Sequence, residues 1–419
     1  MSKKSFSISK KMRIFAVRKW ENMNVDNSQW SVVRTWHKIV CVGLFLAFHL
    51  SLCFFFTSCI KEEPKNSECD IMSAWVAGNE YASFFYQNSQ MRIEHIASNS
   101  TTIVFLVRSV DSLPPIPVYF ELSPGATVTP ESGTLQDFSQ GPVAYTVTSE
   151  DGEWSRTYHV YLQKANSDSS FFFSFEHAEV QEVSNGSSYH VFYEEDTNGT
   201  RYHYWASGNA GVAIIKSGLS PEQFPTYSTS DGLRGRGVCL NTQLTGELGA
   251  SMGKPIAAGN LFWGQLNVNA VLTNALAATE FGFPTNRQPK KVCGWYKYRP
   301  GEVFTNVDME EVAGRVDQAH FYAVFYRNQD SNGNTVVLNG TNVLSSEYIV
   351  SKAQIIGPAP TDEWTHFEML FEGGTADPEI LAAMGYSFTV VFSSSKDGDT
   401  FEGAVGSTLY IDEVEVEFE

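Results

Sequence analysis

Beyond residue 70 the chain is written in short runs of β-branched and aromatic residues, five to eight long, separated by Pro, Gly, Asn and Asp, and this rhythm constrains the fold most. Residues 101–107, 143–148 and 157–162 are examples. Successive side chains of a strand point to opposite faces, so alternation over such lengths predicts half-buried antiparallel strands. Residues 70–164 are expected to form an immunoglobulin-like β-sandwich with Tyr145, Val147, Tyr158 and Val160 facing inward. Ser123-Pro124-Gly125 and Ser149-Glu150-Asp151-Gly152 supply turn chemistry. After a short polar linker at 164–170, residues 171–419 again read mainly as strands, with brief helices expected at 274–279 and 378–384. Many strands with Gly-rich turns suit a two-sheet jelly roll. The expected class is therefore all-β: an immunoglobulin-like β-sandwich followed by a larger β-sandwich jelly roll. No fixed-period repeat is present, which disfavours propellers and solenoids.

The region ahead of these strands has a different logic. Residues 39–56 are eighteen in number and carry no charge, and they end at Phe56-Thr57-Ser58-Cys59, after which the chain turns polar. Small residues followed by Cys at the outer end of such a run predict a lipoprotein signal peptide over 1–58, with acylation of Cys59 and a tether over 59–69. An uncleaved membrane-spanning anchor is the competing reading, because the run is about long enough to cross ~30 Å of hydrocarbon. The segment before residue 39 is long for a signal, and Met23 offers an alternative start. Lys61-Glu62-Glu63, directly after Cys59, resembles the surface-export signal of Bacteroidetes lipoproteins. The expected location is the outer membrane, exposed at the surface.

The first 58 residues hold nine of the 29 basic and two of the 47 acidic residues, which leaves the remaining chain at a net charge of −25. Such a surface repels polyanions, so nucleic acid is excluded as a partner and neutral or cationic ligands are favoured. Cys69, Cys239 and Cys293 lack metal-ligand spacing and imply no disulfide framework, although a Cys239–Cys293 bridge stays open beside isolated thiols.

Several segments stand out in order: Phe173-Ser174-Phe175-Glu176, Trp205-Ala206-Ser207-Gly208-Asn209, Gly259-Asn260-Leu261-Phe262-Trp263-Gly264, Gly294-Trp295-Tyr296-Lys297-Tyr298-Arg299-Pro300-Gly301, Ser393-Ser394-Ser395-Lys396-Asp397-Gly398-Asp399, and Tyr410-Ile411-Asp412. Together they resemble the putative carbohydrate metabolism domain family of Bacteroidetes lipoproteins. The resemblance covers about 171–419, and an immunoglobulin-like domain ahead of the jelly roll also suits that family. It implies a jelly roll with a carbohydrate-binding pocket, located where structurally similar glycoside hydrolases bind sugar.

The residues support this on physical grounds. A pyranose has an apolar face that stacks on Trp or Tyr, while its hydroxyls need fixed donors and acceptors. Trp205, Trp263, Trp295, Tyr296 and Tyr298 are candidates for stacking, each with core packing as the competing role, and Asn209, in the first aromatic motif, is a candidate ligand-binding residue. If 294–298 is extended, Trp295 and Lys297 face one way and Tyr296 and Tyr298 the other, so one pair alone can line a pocket. Lys297 either reaches solvent or points at a ligand. Arg287, Asp308, Lys396 and Asp397 could bind neighbouring hydroxyls, and Asp317 stands near the same motifs. Lys396-Asp397-Gly398-Asp399 is also good turn sequence.

Glu176 and Asp412, in the first and last expected strands, could hold a structural Ca²⁺ of the kind many carbohydrate-binding jelly rolls carry. No cofactor is required for binding. A glycosidase would need two carboxyls about 5–9.5 Å apart. Glu413, Glu415 and Glu417 read as one solvated strand face instead. The chain has no Gly-x-Ser-x-Gly elbow, His-Glu-x-x-His pair, Walker loop or Gly-x-Gly-x-x-Gly turn, and His190, His203 and His320 read as packing or surface residues. The leading expectation is a lipid-anchored, envelope-exposed glycan-binding protein of a polysaccharide-utilisation apparatus. A glycoside hydrolase or lyase on the same scaffold, and a structural or adhesion lipoprotein, are the alternatives.

Overall fold

The computed structural model describes residues 64–419 apart from 87, 94–95, 97–100, 109–112, 165–169, 196–200 and 272. The expected signal peptide, Cys59, Lys61-Glu62-Glu63 and most of the 164–170 linker lie outside the described residues. Among those described, no helix is long and apolar enough to cross a membrane.

The first sandwich pairs two four-stranded sheets. One runs Arg92–Ile93, Ile71–Val76, Ile116–Leu122, Leu135–Gln136; the other runs Thr102–Val107, Ser155–Lys164, Val143–Thr148, Thr127–Thr129, with its first two strands parallel. Tyr145, Val147, Tyr158 and Val160 are buried between them with Phe105, as the alternation required. The end of the expected tether docks here, where the Asn66 amide donates to Glu150 Oε2 at 2.9 Å.

The second sandwich has larger antiparallel sheets. The Lys297 sheet runs Thr226–Thr229, Gly237–Asn241, Thr408–Phe418, Pro289–Arg299, Thr361–Leu370, and Ser170–Phe173 also pairs with the Thr408–Phe418 strand. The cavity sheet runs Trp205–Ala206, Asn260–Leu266, Tyr386–Ser393, His320–Arg327, Ile349–Ile356, Glu372–Gly373. Period two decides what each face does. Leu261, Phe392 and Phe321 lie side by side across three strands and point into the core between the sheets. Their neighbours Phe262, Val391 and Tyr322 point to the opposite face. That face is not left to water, because a second apolar cluster around Phe281 and Leu338 covers part of it.

Among the described residues, four short α-helices complete the unit: α1 Asn209–Ile215, α2 Gly246–Ser251, α3 Val268–Val271 and α4 Pro378–Ala382. The expected helix at 378–384 is α4, with Pro at its first turn and Asp377 capping the amides of Glu379 and Ile380. The expected helix at 274–279 is one closed turn instead, since Ala278 N bonds Asn274 O at 3.0 Å and Thr279 then enters the sheet opposite Leu266. Helix α1 has weak propensity, with Gly211 and the β-branched Val212, Ile214 and Ile215 among its seven residues. Packing imposes it: a Cβ on Gly211 would come within 2.9 Å of Val271 on α3, so glycine lets the two helices meet.

Candidate functional site

A cavity of about 360 Å³ lies over the outer face of the cavity sheet. Its floor is two registered rows, an apolar one of Phe262, Val391 and Tyr322 and a more polar one of Asn260, Ser393 and His320. Helices α1 and α2, residues 340–345 and residues 395–401 wall it in.

Hydrogen bonds hold these walls in place. Asn260 Oδ1 accepts the Gly208 amide at 2.8 Å just ahead of α1. Asn209 is fully buried and grips Thr226 from both sides, accepting its N–H at 3.2 Å and donating to its carbonyl at 2.6 Å. Lys396 N donates to Gln318 O at 2.7 Å, and Ser395 Oγ donates to the buried Asp317 carboxylate. A Cβ on Gly398 would sit 2.4 Å from Ala258 Cβ, so only glycine allows the 395–401 loop to close against the neighbouring wall.

The polar end has a distinct electrostatic character. His320 is 6% exposed, its ring lies 4.9 Å from that of Tyr322, and its Nε2 is buried without a hydrogen-bond partner. Burial pushes its pKa down to about 4; the Lys396 ammonium adds to this, while Gln354 and Asp397 oppose it. Burial also pushes the Asp399 carboxyl up, with Asp397 adding to the effect, and pushes the Tyr322 phenol up. Lys396 Nζ is 3.0 Å from Asp397 Oδ1. At neutral pH this end therefore offers a neutral imidazole and phenol beside one ion-paired ammonium and the Asp399 carboxyl.

The folded pKa of His320 lies below the ordinary ~6.5, so the unfolded chain takes up this proton first. Its contribution to stability is full above about pH 6.5 and is lost as pH falls towards 4, on the order of 3 kcal/mol at the limit. Thermal melts should fall more steeply between pH 6.5 and 4.5 for the natural protein than for His320→Gln. Parallel curves would remove the basis for a buried neutral imidazole.

Of the residues singled out from sequence, Asn209 and Lys396 line the cavity. The others lie elsewhere. Trp205, Trp263, Tyr296 and Tyr298 are 2–5% exposed and belong to the core between the sheets, where burying the rings gains more than facing water. Trp295 and Lys297 lie on the outer face of the other sheet. Lys297 Nζ is 2.6 Å from Asp231 and sits between the rings of Trp364 and Tyr410 at 4.8 and 4.7 Å, beside a second, polar pocket of about 260 Å³. Arg287 bonds the Glu419 carbonyl and lies over Phe418. Asp308 is exposed in a turn held by Asn306, and Asp397 pairs with Arg315 at 2.6 Å. Sequence reading missed Phe262, His320, Tyr322, Val391 and Asp399 as lining residues. The available signal was that His320–Arg327 is apolar on both faces, which requires a cover on each.

Glu176 and Asp412 do converge, on the loop 232–236, yet the donor set does not fit a cation. Asp412 accepts the amides of Leu233, Arg234 and Glu413, and Glu176 accepts that of Arg236. These N–H groups place positive dipole ends where a Ca²⁺ would need electron pairs. Burial pushes the Asp412 pKa up to about 6 against these bonds. Among the described residues, Cys293, Glu415 and Glu417 are close enough together to share an ion, but Lys291 Nζ already stands 2.6 Å from Glu417.

Comparison with known proteins places the chain. Residues 174–417 match the family described as "Putative carbohydrate metabolism domain". The chain belongs to this family. Residues 82–162 match the N-terminal domain of SGBP, the surface glycan-binding proteins. A Bacteroides thetaiotaomicron crystal structure described as a putative glycoside hydrolase is 36% identical, with 86% of this chain and 99% of that one covered and a TM-score of 0.71. A similarly described Bacteroides vulgatus structure is 38% identical over 59% of this chain and 98% of that one, at a TM-score of 0.55. No curated protein matches. The family thus links the chain to carbohydrate, and the SGBP match points to the cell surface.

Proposed function

We propose that this is a lipid-anchored, surface-exposed outer-membrane protein that binds carbohydrate through the cavity over the second sheet, as part of a polysaccharide-utilisation system. The immunoglobulin-like sandwich acts as spacer and the jelly roll as receptor. The cavity carries the reading: about 360 Å³, walled by loops, with an apolar floor row beside a row containing a partnerless imidazole nitrogen. Such a combination of area and convergent polar groups is what small-ligand recognition uses, and the volume lies in the usual ~300–1,000 Å³ range. The anchor rests on the Cys59 motif and its apolar lead, and the SGBP match supports surface display.

The names of the relatives favour a second reading, glycoside hydrolysis. Hydrolysis needs a pair of carboxyls across the bond, and Asp399 is the one carboxyl among the described residues lining the cavity. Binding without turnover is therefore preferred.

Glycan-array binding followed by calorimetry tests the proposal. Lys396→Ala and Asp399→Asn should each weaken binding by about tenfold while leaving the melt unchanged, the scale of one lost charged hydrogen bond. Full affinity in both variants would place the ligand elsewhere. Reducing sugar released by the natural protein and lost in Asp399→Asn would replace binding with hydrolysis. Protease shaving of intact cells, with signal lost in Cys59→Ser, checks the anchor.

A further inference from the structure

The cavity is unevenly furnished. His320, Ser393, Lys396 and Asp399 stand at one end, whereas much of the remaining wall is aliphatic, as at Val271 and Val343. The polar side chains set among these are already bonded to protein: Lys254 donates to Val271 O, Thr279 to Leu276 O and Thr341 to Asn339 Oδ1. At the mouth, Met252 and Leu344 line the cavity yet are 40% and 37% exposed. An unsubstituted saccharide carries hydroxyls around its whole rim, and pressing them on an aliphatic wall removes their water without replacing it. A ligand that matches both halves has hydroxyls at one end and hydrocarbon at the other.

We infer that the cavity takes a saccharide bearing an apolar substituent, such as an alkyl or aryl glycoside or an acylated sugar, with the sugar at the His320 end and the substituent along the aliphatic wall. This rests on the carbohydrate reading above and specifies its ligand class. His320 lines this end of the cavity, and its buried Nε2 has no partner within the protein. The net charge of the chain, −18, opposes an anionic amphiphile such as a fatty acid. Exposed apolar side chains at the mouth then have a role, continuing the wall towards solvent around the protruding end of the substituent.

The test compares hexyl with methyl β-glycosides of glucose, galactose, mannose and xylose by calorimetry on the full chain, with hexanol as the sugar-free probe. The hexyl forms should bind about tenfold or more tighter than the methyl forms, because several additional methylenes leave water. Met252→Glu and Leu344→Asp, both at exposed positions, should each shrink that gain to about threefold or less. Equal affinity for hexyl and methyl forms would overturn the inference and leave the carbohydrate reading standing. Hexanol binding as tightly as the hexyl glycosides, or no glycoside binding at all, would overturn both.

Discussion

Replacing Asp317 with alanine is expected to destabilise the protein by about 3–5 kcal/mol, read as a fall of roughly 10 °C in Tm. Asp317 is 2% exposed, and its Oδ2 accepts from Ser395 Oγ, from Ser407 Oγ at 2.7 Å and from the Ala404 amide at 2.8 Å, while Oδ1 accepts the Gln318 amide at 2.8 Å. Alanine leaves these buried donors unmet, and each orphan costs about 1–3 kcal/mol before relaxation. Asparagine should lie between the two, since one oxygen still accepts but its NH₂ then faces donors. The effect reaches function, because this carboxylate ties residues 395–407 to the strand that begins at His320. Carbohydrate affinity should therefore fall even at temperatures where Asp317→Ala remains folded. A melt within about 2 °C of the natural protein would show that the network is not structural.

Trp263→Ala should cost a comparable 3–5 kcal/mol for a different reason, the loss of a large ring from a packed core. Trp263 stacks on Tyr204 with centroids 4.9 Å apart and lies 4.9 Å from both Phe173 and Phe388. Tyr204 in turn stacks on Tyr202, which contacts Tyr161 of the first sandwich at 6.4 Å, so the ring belongs to an aromatic series that ends in the other sandwich. Trp263→Phe should lose less stability and keep its carbohydrate affinity. Should affinity vanish in Trp263→Phe with the melt unchanged, the ring touches ligand after all and the assignment to the core is wrong.

These two residues show where sequence reading succeeds and where it stops. Both were singled out, Trp263 as a stacking surface and Asp317 as a polar neighbour of the motifs. Their chemical importance was legible, because a Trp or a carboxylate is costly to place without compensation. Their roles were not, because alternation states that Phe262 and Trp263 face opposite ways without stating which face meets the other sheet. The same ambiguity held for Gly294 to Tyr298, where Tyr296 and Tyr298 turned inward and Trp295 and Lys297 outward. Asn209 lines the cavity, yet both ends of its amide are bound to Thr226. The calcium expectation likewise paired the right carboxylates, but amides of a loop about 180 residues before Asp412 in sequence converge on them.

From the chain alone came the all-β class, the inward faces of the first sandwich and the carbohydrate family, because strand period and motif order are local properties that survive without coordinates. Folding decided which side of each second-sandwich strand meets the core, that His320, Tyr322 and Val391 share a floor, and that helices and loops wall a cavity above it. Those outcomes depend on pairing between strands tens to hundreds of residues apart, and a one-residue change of register would have exchanged core for cavity.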